Sequence, residues 1–96
     1  MVLREMVFSM EPQKIKQDEN ICIGANIRHI RRLKGIGQTE LVILLQLSGL
    51  SMTRETLVKI ERGIQHVQAS QLRGIRDALG TTYDELLKPR DEMGLS

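Results

Sequence analysis

Glycines divide most of this sequence into short segments in which apolar residues recur at the spacing of a helix. Four glycines follow such segments, at the place where glycine commonly ends a helix: Gly35, Gly49, Gly63 and Gly80. A short helix is barely stable alone, so these helices must pack against one another. Since the chain has 96 residues, it is the size of one small domain. The segments therefore predict a compact all-α fold around a single core.

The first helix is predicted from Asn20, a good capping residue, to Lys34. Its apolar stripe consists of Ile23, Ile27 and Ile30, with Leu33 beside them.

The second helix is predicted from Gln38 to Leu47. Its apolar run from Leu41 to Leu45 can also form a buried strand, but the absence of a second such run to pair with it favours a helix. Because this helix is apolar on almost every side, we expect it to be packed on most sides.

Three further helices complete the predicted domain. Their bounds are Thr53, as the capping residue, to Arg62, then Ser70 to Gly80, and a last helix from Thr82. Leu57 and Ile60 form the inner stripe of the third helix, while Thr82 and Glu85 form a capping box and Pro89 prevents continuation of the fifth. The prediction is a five-helix domain over residues 20–88, with an N-terminal extension (1–19) and a charged tail (89–96).

The composition excludes several classes of function. Phe8 and Tyr83 are the only aromatic residues, too few for a platform that stacks unpaired bases. Cys22 has no second cysteine, and with His29 and His66 it has no zinc-ligand spacing, so we expect no metal and no cofactor. No apolar run approaches the ~20 residues of a membrane span, and no signal peptide is evident, so a cytoplasmic location is expected. The chain carries no catalytic constellation, so we do not expect an enzyme.

Positive charge is concentrated in the middle of the chain. Between Asn20 and Tyr83 there are nine basic and four acidic residues, a net charge of +5, whereas the two ends have five basic and eight acidic residues, a net charge of −3. A basic centre indicates a polyanionic partner such as nucleic acid. The alternative is that the extra arginines only form water-exposed faces of the helices and bind no partner.

Four stretches, read in order, form a longer pattern. They are IGANIRHIR (23–31), KGIGQTEL (34–41), TRETLVKIERG (53–63) and LRGIRDALGTTYDELL (72–87). The pattern resembles the Cro and phage-repressor type of helix-turn-helix, the XRE family of transcriptional regulators. The resemblance covers about residues 20–88 and implies a lambda-repressor-like domain that binds double-stranded DNA.

The resemblance also implies roles for individual residues. The DNA-contacting positions of the family fall on Gln38, Thr53, Arg54, Glu55, Val58, Lys59 and Arg62. Gln38 and Arg62 match phosphate contacts, and the others match positions of the recognition helix (about 53–62) that face the major groove. Arg54 or Lys59 can donate to guanine, and Glu55 can accept from cytosine. Val58 can touch a thymine methyl group, although it can also be half-buried, and Glu55 can simply pair with Lys59.

Two further residues, Arg31 and Glu61, match a family pair that forms a buried salt bridge between the first and third helices.

Two features depart from the family pattern. Val42 stands where a small residue is usual, and the connection between the second and third helices is about five residues longer. Both features favour a wider separation of these helices, and hence a different tilt of the third helix on DNA.

The resulting prediction is a sequence-specific regulator, a repressor or autoregulator, that binds a palindromic operator as a homodimer. The alternative is an antitoxin-type protein that binds a toxin partner and autoregulates its operon.

The N-terminal extension carries an apolar cluster: Val2, Leu3, Met6, Val7, Phe8 and Met10. An exposed cluster of this kind usually marks an interface, so residues 1–10 are predicted to act as a dimer arm. The alternatives are packing within the same chain, over the first and fifth helices, and a fortuitous upstream start of the sequence.

Overall fold

The structure, a computed structural model, describes residues 14–15 and 21–89. In chain order the elements are β1 (Lys14–Ile15), α1 (Ile23–Leu33), α2 (Gln38–Leu47), α3 (Arg54–Glu61), β2 (Val67–Gln68), α4 (Ala69–Leu79) and α5 (Tyr83–Leu86). The predicted five-helix, all-α fold is confirmed. Within the described part of the chain, no helix is long and apolar enough to cross a membrane.

Helix α1 begins later than predicted, because its cap position lies two residues after Asn20. Its cap position is Cys22, whose side chain makes no capping hydrogen bond, and Asn20 lies outside the described residues. The helix begins where the buried stripe of Ile23, Ile27 and Ile30 begins, so its start coincides with the first residue of the stripe that packs into the core. Leu33, expected beside this stripe, is 73% exposed, so that expectation is wrong.

Helix α2 is apolar on almost every side but is buried on only one. Leu41, Val42 and Leu45 lie in the core, whereas Leu47 is 79% exposed and Ile43 is 49% exposed. The expectation of a helix packed on most sides is therefore wrong. The physical reason is that α3 and α4 are its main neighbours and contact the same side, so the opposite side faces solvent.

The remaining helices have local signals at their ends. The Thr53 hydroxyl accepts a hydrogen bond from the Thr56 amide at 3.1 Å, and Gly80 ends α4 with a positive φ of 64°. At α5 half of the predicted capping box is present, because Thr82 accepts from the Glu85 amide, while the Glu85 carboxylate pairs with Lys88 at 2.9 Å.

A buried asparagine joins the two ends of the domain. Asn26 of α1 is fully buried, and its Nδ2 donates to the carbonyl oxygens of Leu86 at 2.8 Å and Lys88 at 3.0 Å. Carbonyls at the end of a helix lack partners within it. Asn26 therefore satisfies the end of α5 and fixes this short helix against α1.

A two-residue antiparallel ladder links the extension to the domain. Lys14 pairs with Gln68 and Ile15 pairs with Val67, so β1 lies against β2 immediately before α4. The proposed dimer arm of residues 1–10 and the tail from residue 90 lie outside the described residues.

Candidate nucleic-acid interface

Two consecutive helices and their connection present the candidate surface. Helix α2 packs against α3, and residues 48–53 join them. The connection is anchored by the buried Met52 side chain and by Gln46, whose Nε2 donates to the Met52 carbonyl at 2.9 Å. Leu57 and Ile60 then fix the inner side of α3 in the core. These contacts place the opposite side of α3 in solvent; the wider separation of the two helices stays a prediction.

The exposed side of α3 carries most of the residues expected to face DNA. Four of these residues are exposed: Thr53, Arg54, Glu55 and Lys59. Val58 is half-buried, which is the alternative given for it above. No ion pair joins Glu55 to Lys59, nor does Arg54 or Lys59 pair with any other described residue. The Thr53 hydroxyl is already used by the cap and by the Thr56 hydroxyl at 3.1 Å. The free charged groups of this face are thus Arg54, Lys59 and Glu55.

Arg31 and Glu61, the two residues expected to pair, form a buried bidentate ion pair between α1 and the end of α3. Arg31 Nε lies 2.8 Å from Glu61 Oε2, and Nη2 lies 2.9 Å from Oε1. A third guanidinium nitrogen, Nη1, donates to the carbonyl of Ile36 at 2.9 Å. The guanidinium fork therefore holds together α1, the approach to α2 and α3.

Gln38 belongs to the same network. Its Nε2 donates to Glu61 Oε1 at 3.1 Å, and the residue is half-buried at the first position of α2. A glutamine amide has two N–H donors, so one remains for a ligand. The backbone N–H groups of the first turn also lack partners within the helix. Gln38 thus lies where an anion would meet several donors.

A cleft of about 450 Å³ opens between α1, the start of α2 and the end of α3. Its lining residues include Arg28, Arg31, Arg32, Gln38, Val58 and Arg62. Arg28 and Arg32 were not among the predicted site residues. Their spacing of four residues, which places both on one side of a helix, was the available signal. Among residues 21–89 no group of His, Cys, Asp and Glu side chains is suited to hold a metal ion.

The five helices form an all-α domain like a helix-turn-helix domain, with exposed Arg54 and Lys59 on α3. The chain is similar to a solved structure, that of the hypothetical transcription factor NHTF from Neisseria, with 26% sequence identity and a TM-score of 0.61. The match covers 84% of this chain and 94% of that one. No protein-family model matches the sequence, and no curated protein matches it either. The structural likeness supports a transcription-regulator fold.

Proposed function

We propose that this protein is a sequence-specific, double-stranded DNA-binding regulator of the XRE type, acting as a repressor or autoregulator. The observation that carries the proposal is the exposed face of α3, where Arg54 and Lys59 have no ion-pair partner among the described residues. An exposed helix of this length fits the major groove of B-DNA. The likeness to a hypothetical transcription factor supports the same assignment.

The proposed mechanism divides the contacts into two kinds. Gln38, the first turn of α2 and Arg62 bind backbone phosphates, which fix the position of the domain without reading sequence. Arg54, Glu55, Val58 and Lys59 meet base edges and supply discrimination. Because the Thr53 cap and the Leu57 and Ile60 anchors hold α3 rigidly, these side chains reach the groove in a fixed arrangement.

The two kinds of contact predict different mutational signatures. Arg54→Ala or Lys59→Ala should cost about 1–3 kcal/mol at the base pair that the side chain reads and relax the preference there. Gln38→Ala should instead weaken binding to all duplexes by a similar factor, because a phosphate contact carries no sequence information. The measurement is selection from a random duplex library, followed by anisotropy titrations of single-base-pair variants.

Arg73 is an exposed arginine of α4, and Arg73→Ala is the control for the loss of one positive charge. It should leave the base preference unchanged. Absence of duplex binding by the wild-type protein at low salt would rule out the proposed function. If Arg54→Ala lowered the affinity equally for every single-base-pair variant of the duplex, only the role of Arg54 in reading bases would be ruled out.

We further propose a homodimer on a palindromic operator. Two-fold symmetry places two recognition helices about 34 Å apart, one turn of DNA, so that each reads a half-site. The apolar residues of segment 1–10 are the proposed dimer arm, and β1 against β2 gives the extension an attachment next to α4. Deletion of residues 1–10 should therefore lower both the dimer mass in sedimentation and the affinity for the full operator. An unchanged mass and an unchanged affinity would exclude this arm.

A second candidate function, an antitoxin-type protein with a toxin partner, is favoured by the exposed apolar side of α2. Ile43, Leu44 and Leu47 leave this side open to a partner protein. A stable complex with a small toxic protein after co-expression would support this candidate, and the mass of the complex separates it from a homodimer.

A further inference from the structure

The cleft between α1, the start of α2 and the end of α3 concentrates positive charge. Among the described residues, four arginines line it (Arg28, Arg31, Arg32 and Arg62), and Glu61 is the only acidic one. The net charge of these lining residues is thus +3. Both carboxylate oxygens of Glu61 accept hydrogen bonds from Arg31, so the negative charge of Glu61 is neutralised within the buried pair. Arg28, Arg32 and Arg62 are exposed and form no ion pair within residues 21–89.

Three other cations of the domain do have partners, unlike Arg28, Arg32 and Arg62. Arg76 donates to Asp77 at 2.7 Å, and this hydrogen bond raises the pKa of Arg76. Lys88 lies 2.9 Å from Glu85, and Lys34 donates to the Gly80 carbonyl at 3.4 Å. Three unpaired arginines around one concave surface repel one another, and a cleft focuses their field. Such a surface is suited to an anion that neutralises it.

The donors around the cleft indicate the chemical class of that anion. Guanidinium groups form forked hydrogen bonds with phosphate oxygens, and the free N–H of Gln38 and the first turn of α2 add neutral donors. Val58 borders both this cleft and the exposed side of α3. A duplex held by α3 in its major groove would therefore bring the phosphates at the groove edge to the cleft.

We propose that Arg28 and Arg32 of α1, with Arg62, form a clamp for the backbone phosphates that flank the major groove. The inference rests on the proposed function and extends it, because it brings α1 into the DNA-binding surface beside α2 and α3. The clamp holds the end of α3 against one strand while Gln38 binds at the start of α2. It strengthens binding to every duplex and reads no base.

Single variants Arg28→Gln and Arg32→Gln test the clamp, with Arg73→Gln as the control for charge. All three arginines are exposed on helices, so each variant is expected to fold, which circular dichroism checks. Each clamp variant should lower affinity roughly tenfold for operator and scrambled duplexes alike. Each should also make the slope of log affinity against log salt shallower by about 0.9, the value for one phosphate. Arg73→Gln should change the affinity by no more than about twofold and should leave the slope unchanged.

Neutral linkages locate the contact. A duplex with methylphosphonates at the flanking positions should bind the wild-type protein more weakly than the unmodified duplex does. The double variant Arg28→Gln/Arg32→Gln keeps only Arg62 of the clamp, so its affinities for the two duplexes should differ much less. Clamp variants that behave like Arg73→Gln, with duplex binding retained, would overturn the clamp and leave the proposed function standing. Loss of inorganic phosphate binding in these variants without loss of duplex binding would also overturn it. A wild-type protein that binds no duplex would refute both.

Discussion

Replacement of Gly24 by alanine should destabilise the domain by about 3 kcal/mol or more, at the upper end of what overpacking usually costs. Gly24 lies in the first turn of α1, where the backbone approaches the end of α3 so closely that an added Cβ would overlap the carbonyl oxygen of Ile60. The same Cβ would lie 3.0 Å from the Ile60 carbonyl carbon and 3.1 Å from that of Glu61. These are backbone atoms of a helix, so they cannot rotate away, and α1 and α3 must separate.

Gly74→Ala is the matched control. Gly74 is also inside a helix, but its added Cβ would meet only the methyl carbons of Leu45 and Leu50, each at 3.4 Å, which are ends of flexible side chains. Alanine is preferred over glycine within helices by about 0.5–1 kcal/mol, so this variant should lose nothing and can gain stability. Urea unfolding of both variants measures the difference. Similar losses for the two variants would mean that α1 and α3 do not make this close contact.

The fold was largely predictable because its signals are local. The isoleucine stripe of α1 and the Thr53 cap each depend on residues within a few positions, and both are as expected apart from the start of α1. The burial of α2 was not predictable in this way. Its apolar residues occur on every side, and only the arrangement of neighbouring helices determines that Leu41 is buried while Leu47 is exposed.

The candidate site was predictable only in part. The α3 face follows from helical spacing once Leu57 and Ile60 are assigned to the core, whereas the pairing of Arg31 with Glu61 came from the family resemblance. The cleft could not be derived from spacing along one element. It requires α1 and the end of α3 to lie side by side, which brings Arg28 near Arg62, and that proximity depends on the tertiary packing permitted by Gly24.

The second large effect is expected from Glu61→Gln, which should lower the free energy of unfolding by about 3–5 kcal/mol. The substitution keeps the size of the side chain but removes the carboxylate that pairs with Arg31, whose side chain is 8% exposed. It leaves a buried guanidinium charge without a counter-charge. It also brings an amide N–H towards the donors of Arg31 or Gln38, which both use Glu61 as an acceptor. For a domain of this size the melting temperature should fall by more than about 10 °C.

Two comparisons make this prediction specific to the buried pair. Glu55→Gln makes the same chemical change at an exposed position of α3 and should cost no more than about 0.5 kcal/mol. The double variant Arg31→Met/Glu61→Met removes both charges, so no charge is left buried alone, and it should be more stable than Glu61→Gln. It will not reach the wild-type value, because the Ile36 carbonyl and the Gln38 amide lose their partners. Equal melting temperatures for Glu61→Gln and Glu55→Gln would show that Arg31 is solvated rather than buried, since water would then replace the lost partner.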